Sequence, residues 1–112
     1  MTAANYNLVI DQGSDFAIQL TLSESGSAKD LTNYFARAQL RSKKTDATAA
    51  ASFSCTIPTP TSGIVVMELN NSVTKDLSAG IYYYDLELYT ANDGNVTRLI
   101  EGQATVTQEV TR

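Results

Sequence analysis

Histidine, the side chain that most readily exchanges a proton near neutral pH, does not occur in this sequence. Serine–histidine and cysteine–histidine nucleophiles are therefore excluded. Carboxylate pairs remain. Asp85 and Glu87 in "YYYDLELY" share one face if the segment is a strand, at a separation of roughly 6 to 7 Å. Such a pair suits glycoside cleavage or calcium binding. No further ligand or acid follows at fixed spacing, and alternating acids on a strand ordinarily keep a sheet face in water. Asp11, Asp15 and Asp30 fall in turn-like stretches where local backbone capping accounts for them. The glycines form no phosphate-cradling loop ahead of a helix. The expectation is a protein that is not an enzyme and uses no metal or other cofactor.

Cys55 is the only cysteine, so there is no internal disulfide and no cysteine-based zinc site; a buried, inert thiol is expected, with an intermolecular pair as the alternative. Lys43 and Lys44 form the only basic pair, in a polar stretch that reads as a solvated turn. The net charge of −4, with its eight basic residues scattered, argues against a nucleic-acid partner. No apolar run reaches the roughly 20 residues that cross a bilayer, so no membrane partner is expected. The start "MTAANYNLVID" lacks the charge and apolar stretch of a signal peptide, which leads us to expect synthesis and retention in a cytoplasm.

The elements that would position these groups are strands. At 112 residues the expectation is a single domain spanning 1–112, large enough to bury a core without staples. Period-2 alternation runs from end to end. It sets Tyr6, Leu8 and Ile10 on one face, then Phe16, Ile18, Leu20 and Leu22, then Ala36, Ala38 and Leu40. Phe53, Cys55 and Ile57 follow, then Val65, Met67 and Leu69, then Tyr82, Tyr84, Leu86 and Leu88. Arg37, Gln39 and Arg41 alternate outward. In the last segment the phase changes near Gly102, so a bulge or bend is expected there, with Leu99, Ala104 and Val106 inward. Asp93-Gly94 marks a hairpin with glycine supplying positive φ. One short helical turn is expected near residues 72–77, capped by Asn71 or Ser72 and ended by Gly80. Seven or eight short strands in this length predict an all-β, antiparallel two-sheet sandwich, with a small closed barrel as the alternative.

The tyrosine run is split by the pleat. Tyr82 and Tyr84 face one way and Tyr83 the other. Immunoglobulin-type sandwiches carry a tyrosine near this corner whose hydroxyl bonds back to upstream backbone, two residues before a cysteine. Asp76, Ala79, Tyr82 and Tyr84 resemble that arrangement, with Tyr84 at the cysteine's position and aromatic packing in place of the disulfide. Tyr82, Tyr84, Leu86, Leu88, Phe16 and Ile18 are therefore core candidates. Tyr83 and Tyr89 share the outer face with Asp85 and Glu87, a composition that fits a protein contact.

Taken in order, "IDQGSDFAIQLTL", "AKDLTNYFARAQLRS", "SGIVVMEL", "LSAGIYYYDLELYTANDGNVTRLIEG" and "ATVTQEVT" resemble small immunoglobulin-like virion modules of phage tails and baseplates. Among these is the N-terminal module of upper baseplate proteins. The shared residues are Gln12, Gly13, Asp15 and Phe16; Asp30, Leu31 and Thr32; Gly80, Tyr82 and Tyr84 to Leu88; Asp93 and Gly94; and Thr97 to Gly102. The match covers nearly the whole chain. No receptor-binding tip follows Arg112, so a stand-alone structural subunit is expected rather than a host-recognition protein.

The resemblance implies a bacteriophage virion structural protein, assembled in the host cytoplasm and packed against other virion proteins and further copies of itself. It implies a tail or baseplate component, with a capsid-head decoration protein as the alternative. Interface candidates are Tyr83, Tyr89, Arg37 and Arg41, together with exposed strand edges. A carbohydrate-binding module is the reading from another class. Sugar platforms favour a flat row of exposed aromatics, and this chain has no tryptophan.

Overall fold

A computed structural model of the chain describes residues 3–111. In chain order the strands are β1 (Ala4–Asn5), β2 (Leu8–Asp11), β3 (Phe16–Thr21), β4 (Ser23–Glu24), β5 (Ser27–Ala28) and β6 (Phe35–Arg41). They continue as β7 (Ala51–Ser52), β8 (Ser54–Thr56), β9 (Ile64–Leu69), β10 (Gly80–Tyr89) and β11 (Val96–Thr107), with one α-helical turn, α1 (Asn71–Thr74), before β10 and 3-10 turns at Pro60–Ser62 and Ala91–Asp93. Seven of these strands have three residues or more; the other four are two-residue pairings.

The strands form an antiparallel β-sandwich of the immunoglobulin-like kind. The larger sheet runs β1-β11-β10-β6-β7, with β2 also on β11, and the smaller runs β3-β9-β8. Among the described residues only β1 and β2 break the antiparallel rule, both lying parallel to β11. The β4–β5 hairpin stands apart from both sheets.

Alternation explains what each strand buries. On β10 the residues Tyr82, Tyr84, Leu86 and Leu88 face in, against Ala38 and Leu40 of β6 and Ile100, Ala104 and Val106 of β11. From the smaller sheet, Val65, Met67 and Leu69 of β9 meet them. Burying each such large apolar side chain contributes about 1.5–3 kcal/mol. Phe16 and Ile18, read from the sequence as core, are only half-buried, as are Leu20 and Leu22, because β3 is the last strand of its sheet and covers them on one side alone.

Residues 51–56 tie the sheets together. β7 pairs with β6 in the larger sheet and β8 with β9 in the smaller, so Phe53 sits where the chain crosses between them. Its ring lies 6.2 Å from that of Phe16 and 6.2 Å from that of Tyr84, both tilted. The three aromatics form a continuous link from β3 to β10. Thr74 is the one buried polar residue among those described, and its hydroxyl donates to the Ser14 carbonyl at 2.8 Å.

Several local expectations are corrected. Tyr6 does not extend the inward set of Leu8 and Ile10: it is 53% exposed, between β1 and β2. The bulge in β11 lies at Leu99 rather than Gly102, since Leu86 pairs with Ile100 but Glu87 pairs with Arg98. Leu99 is the unmatched residue, and Ile100 takes the buried place. Gly102 serves a different purpose. A Cβ there would stand 2.5 Å from the Tyr6 carbonyl oxygen, so glycine lets the N-terminal segment pass close to β11.

The helical turn is capped by Asn70, whose side-chain oxygen accepts from the Val73 amide at 3.3 Å, one residue before the expected caps. The hairpin after β10 is present, but its positive φ falls on Asn92 (58°) and Asp93 (53°), while Gly94 is right-handed at −57°.

Candidate functional site

The outward face of β6, β10 and β11 carries the polar and aromatic side chains that alternate with the core. Register sets them in rows. Phe35, Tyr89 and Val96 make one row; Arg37, Glu87 and Arg98 the next; then Gln39, Asp85 and Glu101; then Arg41, Tyr83 and Gln103. Neighbours within a row are the closest side-chain pairs a sheet offers.

At one end, Arg37 organises a cluster. Its Nε donates to Glu87 Oε1 at 2.8 Å and its Nη1 to Asp93 Oδ1 at 3.3 Å. Its guanidinium carbon lies 4.4 Å from the centre of the Tyr89 ring, and that ring stands 5.5 Å from Phe35. The Glu87 hydrogen bond, foremost, raises the already high pKa of Arg37. Phe35 is 52% exposed and Val96 45%, so the cluster presents apolar surface around a fixed cation.

The middle rows are occupied by their own charges. Arg98 reaches Asp85 Oδ2 at 3.3 Å through Nε and Glu101 Oε1 at 3.0 Å through Nη1. Partial burial, and next the charge of Glu87, push the Asp85 carboxyl above its ordinary range, while Arg98 pulls it back. Asp85 and Glu87, the pair that could have done acid–base work, are thus each held by an arginine from a neighbouring strand. Among the described residues no group of three or more acids or cysteines is placed to hold a metal ion.

At the other end, Arg41 lies opposite Tyr83, but its guanidinium turns to the Asp46 carbonyl (2.9 Å) and Gln39 Oε1 (2.8 Å). Lys44 covers Tyr83 instead, its Nζ 5.7 Å from the ring centre. Lys43 and Lys44 both lie exposed in the turn after β6, as the sequence suggests, with Lys44 resting beside that ring. Arg41, Lys44, Tyr83, Asp85, Arg98 and Glu101 line a shallow open hollow.

The four interface candidates thus lie on one face, where Arg37 and Tyr89 touch and Tyr83 and Arg41 are neighbours in register. Tyr83 and Tyr89 are six positions apart on β10, about 20 Å, and two rows of charge lie between them. Phe35 and Asp93, neither of them an interface candidate from the sequence, complete the Arg37 cluster. Phe35 could have been one, since it alternates in phase with Arg37, whereas Asp93 is brought in only by the shape of its turn.

The other acids and the Gln12 motif serve the fold. Asp30 Oδ1 accepts from the Thr32 amide (2.9 Å) and hydroxyl (2.6 Å), a local cap that lowers its pKa. Asp15 and Asp11 are not local caps. Asp15 Oδ1 accepts from the Asn71 amide at 2.7 Å, and Asp11 Oδ1 from the Thr107 hydroxyl at 2.8 Å. Gln12 donates to the Leu77 carbonyl at 2.7 Å and accepts from the Glu109 amide at 3.0 Å. Cys55 is half-buried rather than fully enclosed, and burial still pushes its thiol up to about 11.

No protein-family model and no curated protein matches the sequence. Among solved structures, the chain is similar to part of a family 123 glycoside hydrolase from Clostridium perfringens, with 13% identity and a TM-score of 0.44. The likeness covers 100% of this chain and spans about a quarter (24%) of the hydrolase chain.

Proposed function

We propose that the chain is a structural subunit of a bacteriophage virion, in the tail or baseplate, and that it works through protein–protein contacts. The observation that carries the contact reading is the Arg37–Tyr89–Phe35 cluster. Arginine and tyrosine are the residues that most often dominate binding energy at protein interfaces. Here Glu87 and Asp93 already hold the guanidinium against the ring, so docking would immobilise little that is not ordered beforehand. The virion assignment rests on the ordered motifs that resemble phage tail and baseplate modules. Repetition of the subunit in a particle would make individually modest contacts strong together.

The same geometry weighs against a sugar platform. Arg37 lies over Tyr89, Lys44 lies over Tyr83, and charged rows separate the two rings. Mass spectrometry of purified virions, isolated tails and tailless heads tests the proposal. Enrichment with tails is expected, enrichment with heads indicates decoration of the capsid, and absence from all three ends the virion reading.

A further inference from the structure

We propose that two copies of this chain pair antiparallel through their β3 edges, joining two three-stranded sheets into one continuous sheet. The inference deepens the virion reading, in which copies of the chain contact one another, but it concerns a different surface from the Arg37 cluster.

β3 ends its sheet. It pairs with β9 without interruption from Phe16 opposite Leu69 to Thr21 opposite Ile64. Among the described residues, no backbone hydrogen bond from a turn or loop reaches residues 16–21. Alternate amide and carbonyl groups along its outer side therefore point away from the sandwich, the template on which a further strand adds.

Natural edges are protected by charge, proline, bulges or brevity. "FAIQLTL", residues 16–22, has none of these. The other edges do: β7 has two residues, β8 has three, and the β1–β2 edge is interrupted at Tyr6 and Asn7 and ends on Asp11. The core is also uncovered along this edge. Phe16, Ile18 and Leu20 are half-buried, whereas Leu69, Met67 and Val65 opposite them are 3%, 0% and 0% exposed.

A second copy is the occupant these features fit. A two-fold axis along the sheet normal sets inward residues of one strand against inward residues of the other. Centred on Ile18 it pairs Phe16 with Leu20 of the partner; centred on Gln19 it pairs Phe16 with Leu22. In both registers apolar meets apolar. The axis also brings identical side chains close, so a charged strand would repel itself, and a chain of net charge −4 has kept this strand uncharged. A six-residue edge buries less than the ~800 Å² per partner of a stable complex, so the pairing is expected to depend on concentration in solution.

Analytical ultracentrifugation of the full chain from micromolar to millimolar concentration tests this, with hydrogen exchange of residues 16–21 measured at both limits. Expected are a concentration-dependent dimer and slowed exchange confined to that strand. Ala17 and Gln19 point outward and meet each other, themselves or Thr21 across either axis. The double variant Ala17→Lys/Gln19→Lys should weaken the dimer at least tenfold while circular dichroism remains native. Mixing it with Ala17→Glu/Gln19→Glu should restore a heterodimer. A monomer throughout, a dimer indifferent to the lysines, or no recovery on mixing overturns the inference. Any of these leaves the virion reading standing, because that reading is tested by particle composition.

Discussion

The hydroxyl of Tyr82 donates a hydrogen bond to the backbone carbonyl of Ser78, 2.7 Å away, closing the turn that leads into β10. Two residues on, the Tyr84 hydroxyl crosses to the carbonyl of Tyr6 and anchors the N-terminal segment. The two inward tyrosines thus each carry a polar tip to a carbonyl at the rim of the core. Their rings fill the core while, among the described residues, no buried hydroxyl is left without a partner.

Tyr82→Phe keeps the ring and leaves the Ser78 carbonyl without its donor. A loss of about 1 kcal/mol is expected, seen in urea denaturation at unchanged slope and as a fall in Tm of about 4 °C. An unchanged midpoint would show that water replaces the hydroxyl at no cost.

Phe53 is the shared member of both inter-sheet ring pairs. Phe53→Ala should cost about 3–5 kcal/mol. In a double-mutant cycle, Phe53→Leu and Tyr84→Leu should couple by about 0.5–1.5 kcal/mol, the value of an aromatic pair beyond its buried area. Additive losses would mean that the rings act only as separate fillers.

Two glycines should behave oppositely. Gly94 has a right-handed backbone, and its Cβ would press on Thr90 Oγ1 at 3.1 Å, which need give only by a few tenths of an ångström, so Gly94→Ala should cost less than about 1 kcal/mol. Gly102→Ala drives a Cβ into the Tyr6 carbonyl and should cost about 1–3 kcal/mol. Hydrogen exchange should also speed up at residues 4–6. If Gly94→Ala proves the costlier of the two, the hairpin geometry is wrong.

Much of the sandwich was legible because alternation is a local signal. The inward phase of β6 and β10 follows from side-chain order, since each alternates apolar inward residues with a mostly polar or tyrosine-bearing outer face, whereas β9 carries Ile64 and Val66 outward and only Glu68 marks its polar side. The bulge was misplaced because Leu99 and Ile100 are both apolar and either can occupy the inward position; the pairing of Glu87 with Arg98 decides between them. Gly94 was assigned the positive φ on residue type, but the turn is one in which Asn92 and Asp93 adopt it, as short polar side chains are able to do. On the outer face, Arg37, Arg41 and the β10 residues are visible in the sequence but their pairing is not, because cross-strand register joins positions 37 with 87 and 87 with 98.

The pH dependence of stability should contain two opposed carboxylates. The Asp85 pKa is raised on folding, so its contribution is present below its unfolded pKa and is lost as pH rises through its folded value. The Asp30 pKa is lowered, so its contribution is present above its unfolded pKa and is lost as pH falls through its folded value. Asp85→Asn should therefore gain stability relative to the natural chain as the solution goes from acidic to neutral, and Asp30→Ala should lose it. Urea midpoints across that range check both signs; parallel curves for Asp85→Asn and the natural chain would contradict the first.

The proposed function has the chain work by contact, through the ordered cluster on the outer face of the larger sheet. Hydroxyl-radical footprinting of Phe35 and Tyr89, in purified phage particles and in the free protein, addresses it most directly. Both rings are expected to be modified several-fold more slowly in the particle than in solution. Equal rates at both positions, or a particle that lacks the chain, would contradict it.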